Sequence, residues 1–218
     1  MFEKKSGILL IAGLGFFLFA FLSNAVVPIL MYRKLPEQTV AEVVNQNVLY
    51  QFEDLSVRYP EQFRKYFGEP TPEKCGEALQ LGLKVYIGEG CWHCHSQFVR
   101  PVANESTRWG PVAVTEEYQN ELQRPVMFGT RRVGPDLSRE GGRRGNDWHA
   151  VHFYEPSSVS PNSPMPNYSW FFDGSPDKPN QRGLAIITYV QWLGSWLESY
   201  PDYEDYVPLK QALASPLD

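Results

Sequence analysis

The chain has 218 residues, 43% of them hydrophobic, with 18 prolines and 17 glycines, which allows one packed domain surrounded by much irregular structure. Its net charge is −5, and beyond residue 5 acidic side chains outnumber basic ones by 24 to 18, which argues against nucleic acid and suits a positively charged protein partner. Of three cysteines, two lie close together and the third stands alone, so a disulfide framework is excluded.

Gly7 to Tyr32 runs for 26 residues without a formal charge, longer than the roughly 20 a helix needs to cross a bilayer. Lys4 and Lys5 precede it; Arg33 and Lys34 follow. A cleaved signal peptide is the other reading, with Ser23-Asn24-Ala25 as its small-residue cleavage site. Apolar sequence continues through Val26, Val27, Ile29, Leu30 and Met31, past an ordinary signal core, and this favours a retained anchor. Pro28 removes one backbone hydrogen bond and marks the place for a kink.

From 36 to 70, Val40, Val43, Val44, Val48, Phe52, Leu55 and Tyr59 recur in steps of three and four, an amphipathic helical pattern. Pro60 suits the first position of a short helix carrying Phe63, Tyr66 and Phe67 on one side. That aromatic stripe is expected to pack on the following domain or on a partner subunit. Thr71-Pro72-Glu73 reads as a capped helix start, and Leu79, Leu83, Tyr86 and Ile87 form a stripe running into Gly88 and Gly90. Cys75 on this helix reads as a small buried residue.

The helix delivers Cys91-Trp92-His93-Cys94-His95, the Cys-x-x-Cys-His attachment string of a c-type haem. Two thiols at this spacing add across the two vinyl groups of one porphyrin, and the next residue offers an imidazole nitrogen to the iron. A redox dithiol or half of a zinc site would use similar residues, but zinc needs two further ligands at short spacing and only Cys75 remains. The nearly balanced charges flanking the anchor do not orient it. Covalent haem attachment does, because it takes place on the outer face of the bacterial inner membrane. The expectation is a single-pass protein with its N-terminus cytoplasmic and its haem domain periplasmic.

From Ser96 to Asn180 the chain is rich in Gly, Pro, Asn and Ser, with little sustained periodicity, and such long loops usually carry function. A Met thioether opposite the His would make the iron an electron carrier. Met127 follows His95 by 32 residues and Met165 by 70. Met165 is the chosen sixth ligand, because Pro164 and Pro166 can hold its loop rigidly. Gly134-Pro135-Asp136-Leu137 matches the Gly-Pro-x-Leu string found after the motif in many cytochromes c. There a backbone carbonyl near the proline accepts the ligand histidine's Nδ1 hydrogen and the leucine covers the ring, which singles out Pro135 and Leu137. Arg100, Arg108, Arg124, Arg131, Arg132, Arg139, Arg143 and Arg144 crowd the same loops, where haem propionates need cations, although ordinary surface charge would look the same. Trp109, Trp148 and Trp170 are equally open between ring contact and core packing. His149 and His152 could supply a second axial imidazole but read as structural or interface residues. Gln181 to Ser199 returns to helical periodicity and is expected to cross the first helix of the domain, ahead of an extended tail.

Together these strings resemble the membrane-anchored monohaem cytochrome c subunit (subunit II) of cbb3-type haem–copper oxidases. The matching residues are Val85-Tyr86-Ile87-x-Glu89-Gly90-Cys91-x-x-Cys94-His95-Ser96-Gln97, Arg100-Pro101, Arg131-Arg132-x-Gly134-Pro135-Asp136-Leu137 and Gly141-Gly142-Arg143. Asp147-Trp148-His149-x-x-His152 and Met165-Pro166-x-Tyr168 complete the set, while the stretch from 36 to 70 is longer than the family pattern. The resemblance implies one covalent haem c with axial His95 and Met165, taking electrons from a periplasmic c-type donor. Its implied partners are the catalytic haem–copper subunit that reduces dioxygen and other c-type cytochrome subunits, with no catalytic site in this chain. The expected fold is mainly α: a transmembrane anchor (1–35), a helical connecting segment (36–70), a class I-like cytochrome c domain with long irregular loops (71–200) and a tail (201–218). The rivals are the small monohaem subunit of a nitric oxide reductase, a gas sensor or peroxidase with a vacant sixth position, and a membrane-tethered electron shuttle.

Overall fold

A computed structural model describes residues 2–197, with side chains from residue 5 onward. The regular structure is helical; among the described residues there are only isolated bridges, Gln38 to Asn120 and Phe172 to Pro179, and no strand. The chain divides into two compact units, Met1–Glu37 and Gln38–Asp218.

In the first unit, α1 (Phe2–Phe21) continues through a π turn (Leu22–Val26) into α2 (Val27–Tyr32). Lys5–Tyr32, 28 residues, is long and apolar enough to cross a membrane by length and composition. Pro28 does not break the helix. The disturbance appears just before it as a widened turn, in which Val27 N–H donates to the Leu22 carbonyl five residues back.

The second unit opens with α3 (Val40–Val43) and α4 (Gln46–Arg58), so the periodic run from Val40 to Tyr59 is two helices. The division comes from Asn45, whose side chain accepts the Val48 N–H at 3.0 Å and starts a new helix. After α5 (Pro60–Tyr66), Phe63 and Phe67 pack edge-on against Phe52, with ring centroids 4.8 and 5.7 Å away. Then α6 (Pro72–Gly88) starts where the Thr71 hydroxyl accepts the Lys74 N–H. Its buried stripe is Cys75, Ala78, Leu79, Gly82, Val85 and Tyr86. Ile87, expected on that stripe, sits about 100° further round the helix and is 41% exposed. Burial pushes the Cys75 thiol up to about 12, which makes it a core residue without nucleophilic character.

The haem motif forms the single turn α7 (Cys91–Cys94), followed by α8 (Glu105–Trp109), α9 (Asn146–Tyr154) and α10 (Pro156–Val159). Helix α9 lies where no periodicity was expected. Its buried residues Asn146, His149, Ala150 and Phe153 do have helical spacing, but two of them are polar. Asn146 spans three segments: Nδ2 donates to the Gln51 carbonyl and Asp54, both at 2.9 Å, and Oδ1 accepts from Gln191 at 3.0 Å.

Finally α11 (Gln181–Trp192) crosses α6 at Gly82, where a Cβ would stand 2.3 Å from the Ala185 oxygen and 2.5 Å from the Tyr189 Cβ. The helix stops at Trp192 rather than Ser199: Gly194 turns left-handed (φ +84°), where a Cβ would stand 2.8 Å from the Arg139 α-carbon and from the Ser138 oxygen. The C-terminal end of the expected helix and the tail 201–218 lie outside the described residues. Trp192 Nε1 donates to the Val43 carbonyl at 3.0 Å, and Asn45 and Asn47 donate to Ser195, which fastens the first helices of the unit to the last.

The irregular loops are held by buried charge. Glu105, 4% exposed, receives the guanidinium groups of Arg100 and Arg132. Arg132 also donates from Nε to Ser96 Oγ at 2.8 Å and lies over the Trp109 ring at 4.8 Å. Asp136 accepts from Ser96 Oγ and from the Phe98 N–H, so the chain just after the haem motif is clamped from one side. Buried Arg139 pairs with Glu117 and donates to the Pro111 and Ser138 carbonyls, both at 3.1 Å.

Two outcomes follow from this packing. Gly82→Ala should force α6 and α11 apart and cost about 1–3 kcal/mol, read as a lower urea midpoint with helical content retained. The Arg132 guanidinium holds the Glu105 carboxyl at about 2, against an ordinary 4.5. Native Glu105 therefore binds fewer protons than the unfolded chain between those values, and its contribution is lost as pH falls from about 4.5 to 2. Unfolding midpoints measured across that range should fall less steeply in Glu105→Gln, which should also be less stable than wild type at pH 7.

Candidate haem site

Two residues past the end of α6, Gly90 takes a left-handed φ of +72° and turns the chain directly into α7. One helical turn then presents both thiols, and the His95 N–H closes it on the Cys91 carbonyl at 3.0 Å. Cys91 is buried, and burial followed by the charge of Glu89 pushes its thiol up to about 12; Cys94 is exposed. The Tyr168 hydroxyl interacts with the Cys91 thiol.

The 130–137 segment lies along the motif as a second backbone layer. Thr130 and Arg131 N–H groups donate to the His93 carbonyl, Gly134 N–H to the Cys94 carbonyl and Leu137 N–H to the Ser96 carbonyl. His95 Nδ1 is 2.9 Å from the Pro135 carbonyl. A carbonyl can only accept, so Nδ1 carries the hydrogen and Nε2 keeps its lone pair. Burial pushes the His95 imidazole below its ordinary value, so the ring is neutral at neutral pH, as a metal ligand must be. A Cβ on Gly134 would stand 2.2 Å from His95 Cε1, so only glycine lets this backbone lie against the ring.

Cys91, Cys94, His95 and Pro135 are therefore brought into one cluster, with Leu137 half-buried beside it against the main core. Met165 is half-buried against the same core, between two prolines, with its N–H on Ser163 Oγ at 3.2 Å. Tyr168, three residues on, is buried, with its hydroxyl near the Cys91 thiol. Met127 is buried, and its carbonyl accepts from the Gln97 N–H.

His149 is buried and His152 half-buried, the latter stacked on Trp148 at 4.5 Å. Burial lowers them to about 3 and about 4 respectively, with the Arg144 charge among the further causes, so both are neutral at neutral pH. His149 Nε2 and His152 Nδ1 have no hydrogen-bond partner among the described residues. The arginines divide sharply: Arg100, Arg132 and Arg139 are committed to carboxylates, Arg143 and Arg144 stand 4.0 Å from Glu140, Arg108 lies over Trp109 and Arg131 is exposed.

Two contributors were missed in the sequence. The Tyr86 hydroxyl donates to the His95 carbonyl at 2.8 Å, yet in sequence Tyr86 is only one more apolar member of the α6 stripe. Gly134 was legible only as the first letter of a four-residue string.

The donor set fits a covalently held haem: two thiols within one turn, an imidazole whose free nitrogen is fixed by the bond on its other one, and a glycine that keeps that ring uncrowded. The sequence matches the family described as cytochrome c oxidase, mono-heme subunit/FixO over residues 74–195, more than half of the chain. A comparison with curated proteins finds no match. With the motif, its backbone layer and the α6–α11 crossing inside the matched region, the chain belongs to the mono-haem subunit family of cytochrome c oxidase.

Proposed function

We propose that the chain carries electrons, within a membrane oxidase complex of the cbb3 type, from a periplasmic c-type donor toward the catalytic subunit that reduces dioxygen. When bound, haem c supplies a one-electron couple at its iron. Cys91 and Cys94 would hold it through their thiols, and His95 Nε2 and Met165 Sδ would be the groups that bind its iron. The Pro135 carbonyl keeps His95 in the required tautomer, while Leu137 would cover the ring and the proline-flanked loop would hold Met165 in place. A thioether on the iron raises its potential and blocks small ligands, which suits relay over catalysis. Lys5–Tyr32 anchors the chain in the bacterial inner membrane, with the N-terminus cytoplasmic and the haem domain periplasmic.

The observation that carries this proposal is the His95 imidazole, bonded through Nδ1 to the Pro135 carbonyl inside the region that matches the family. In the purified complex, Met165→Ala should lower the reduction potential and let the ferrous protein bind carbon monoxide at neutral pH. An unchanged absorption spectrum would refute the Met165 assignment. Cys91→Ala or Cys94→Ala should abolish most haem staining on a denaturing gel, and undiminished staining would refute covalent attachment.

A further inference from the structure

The membrane-spanning helix carries an unpaired polar site. Val27 N–H donates to Leu22, five residues back, and so bypasses the Ser23 carbonyl. The next donor that could reach that carbonyl across a π turn would be residue 28, but Pro28 has no amide hydrogen. The Ser23 carbonyl is thereby left without a main-chain donor. Neither neighbouring side chain supplies one, because both fold back one turn. Ser23 Oγ donates to the Phe19 carbonyl at 2.8 Å, and Asn24 Nδ2 donates to the Ala20 carbonyl at 2.9 Å and to Ser23 Oγ at 3.2 Å. Among the described residues, no donor reaches Asn24 Oδ1.

Two acceptors, the Ser23 carbonyl and Asn24 Oδ1, thus sit on adjacent residues of one widened turn. At a rise of about 1.5 Å per residue, Asn24 lies about 8 Å from the middle of the Lys5–Tyr32 span, inside a hydrocarbon layer roughly 30 Å thick. No water satisfies acceptors at that depth, and leaving them bare costs free energy. We infer that the Ser23–Asn24 turn is the docking point for a transmembrane helix of the large membrane subunit that presents a hydrogen-bond donor: a hydroxyl, an amide or an indole N–H. A second copy of this chain fits poorly, because its own turn would bring two more acceptors while its Asn24 amide hydrogens are already committed. The inference rests on the anchored, complex-forming reading given above.

The test uses the complete complex in mild detergent, with the haem of this chain counted per large subunit after purification. Interhelical hydrogen bonds of this kind correspond to about 3-fold to 20-fold in association. Asn24→Leu should lower retention by a factor in that range, while the chain still resists carbonate extraction and still stains for covalent haem. Pro28→Ala restores an amide hydrogen inside the helix; it should also lower retention, although it makes the isolated helix more regular. Full retention in both variants, or migration of this chain as a dimer of itself, would overturn the proposal. Release of the wild-type chain by carbonate would instead overturn the anchoring on which it rests.

Discussion

The second unit depends on one close approach, the crossing of α6 and α11 at Gly82. Glycine in a helix interior costs about 1 kcal/mol relative to alanine, and here the absence of a side chain lets two backbones meet. From that contact Tyr189 reaches Tyr86, with ring centroids 5.6 Å apart, and Tyr86 in turn donates to the His95 carbonyl. Because only Glu89 and the left-handed Gly90 separate α6 from Cys91, the seating of α6 on α11 helps to place the two thiols and the imidazole. The chemistry of the site is therefore positioned by helix packing one turn and more away.

The second layer of control is polar and sits in the loops. Burying an arginine–carboxylate pair gains little net stability over apolar packing, but breaking one strands a charge. Glu105, Arg132, Asp136 and Ser96 form such a group against the residue that follows His95, and Arg139 with Glu117 forms another. These groups specify one loop conformation where a sequence poor in periodic apolar residues could not. The site needs that specificity, because the Pro135 carbonyl has to stay within hydrogen-bond distance of His95.

Much of the architecture could be read from spacing. The uninterrupted apolar run near the N-terminus, the capped helix leading into Cys91 and the apolar periodicity after Asn180 are each carried by residues whose type and period agree. What escaped had physical reasons. Helix α9 hides because its buried face uses Asn146 and His149, residues that periodicity counts as exposed. The break between α3 and α4 is invisible in the hydrophobic pattern, since the apolar steps continue through it and only the Asn45 cap divides them. Helix α11 stops short of Ser199 because the Arg139 backbone comes against Gly194, a contact between positions 55 residues apart. The cluster at His95 was half legible: Pro135 could be named from its string, but the Tyr86 hydroxyl could not, because an interior tyrosine looks the same whether or not its oxygen has a task.

The fastening of Val43, Asn45 and Asn47 to Trp192 and Ser195 also bears on the order in which the unit comes together. These bonds join positions about 150 residues apart in sequence, and contacts of that range carry the largest loop-closure cost in a chain. During synthesis the segment with Cys91 to His95 emerges well before Trp192, while the early helices still lack the surface they finally cover. The unit can close only after its last helix arrives, so the thiols stay reachable through most of the chain's elongation. A topology that joins its two ends late thus leaves a long interval in which a covalent cofactor can be fitted before the core shuts over Cys91.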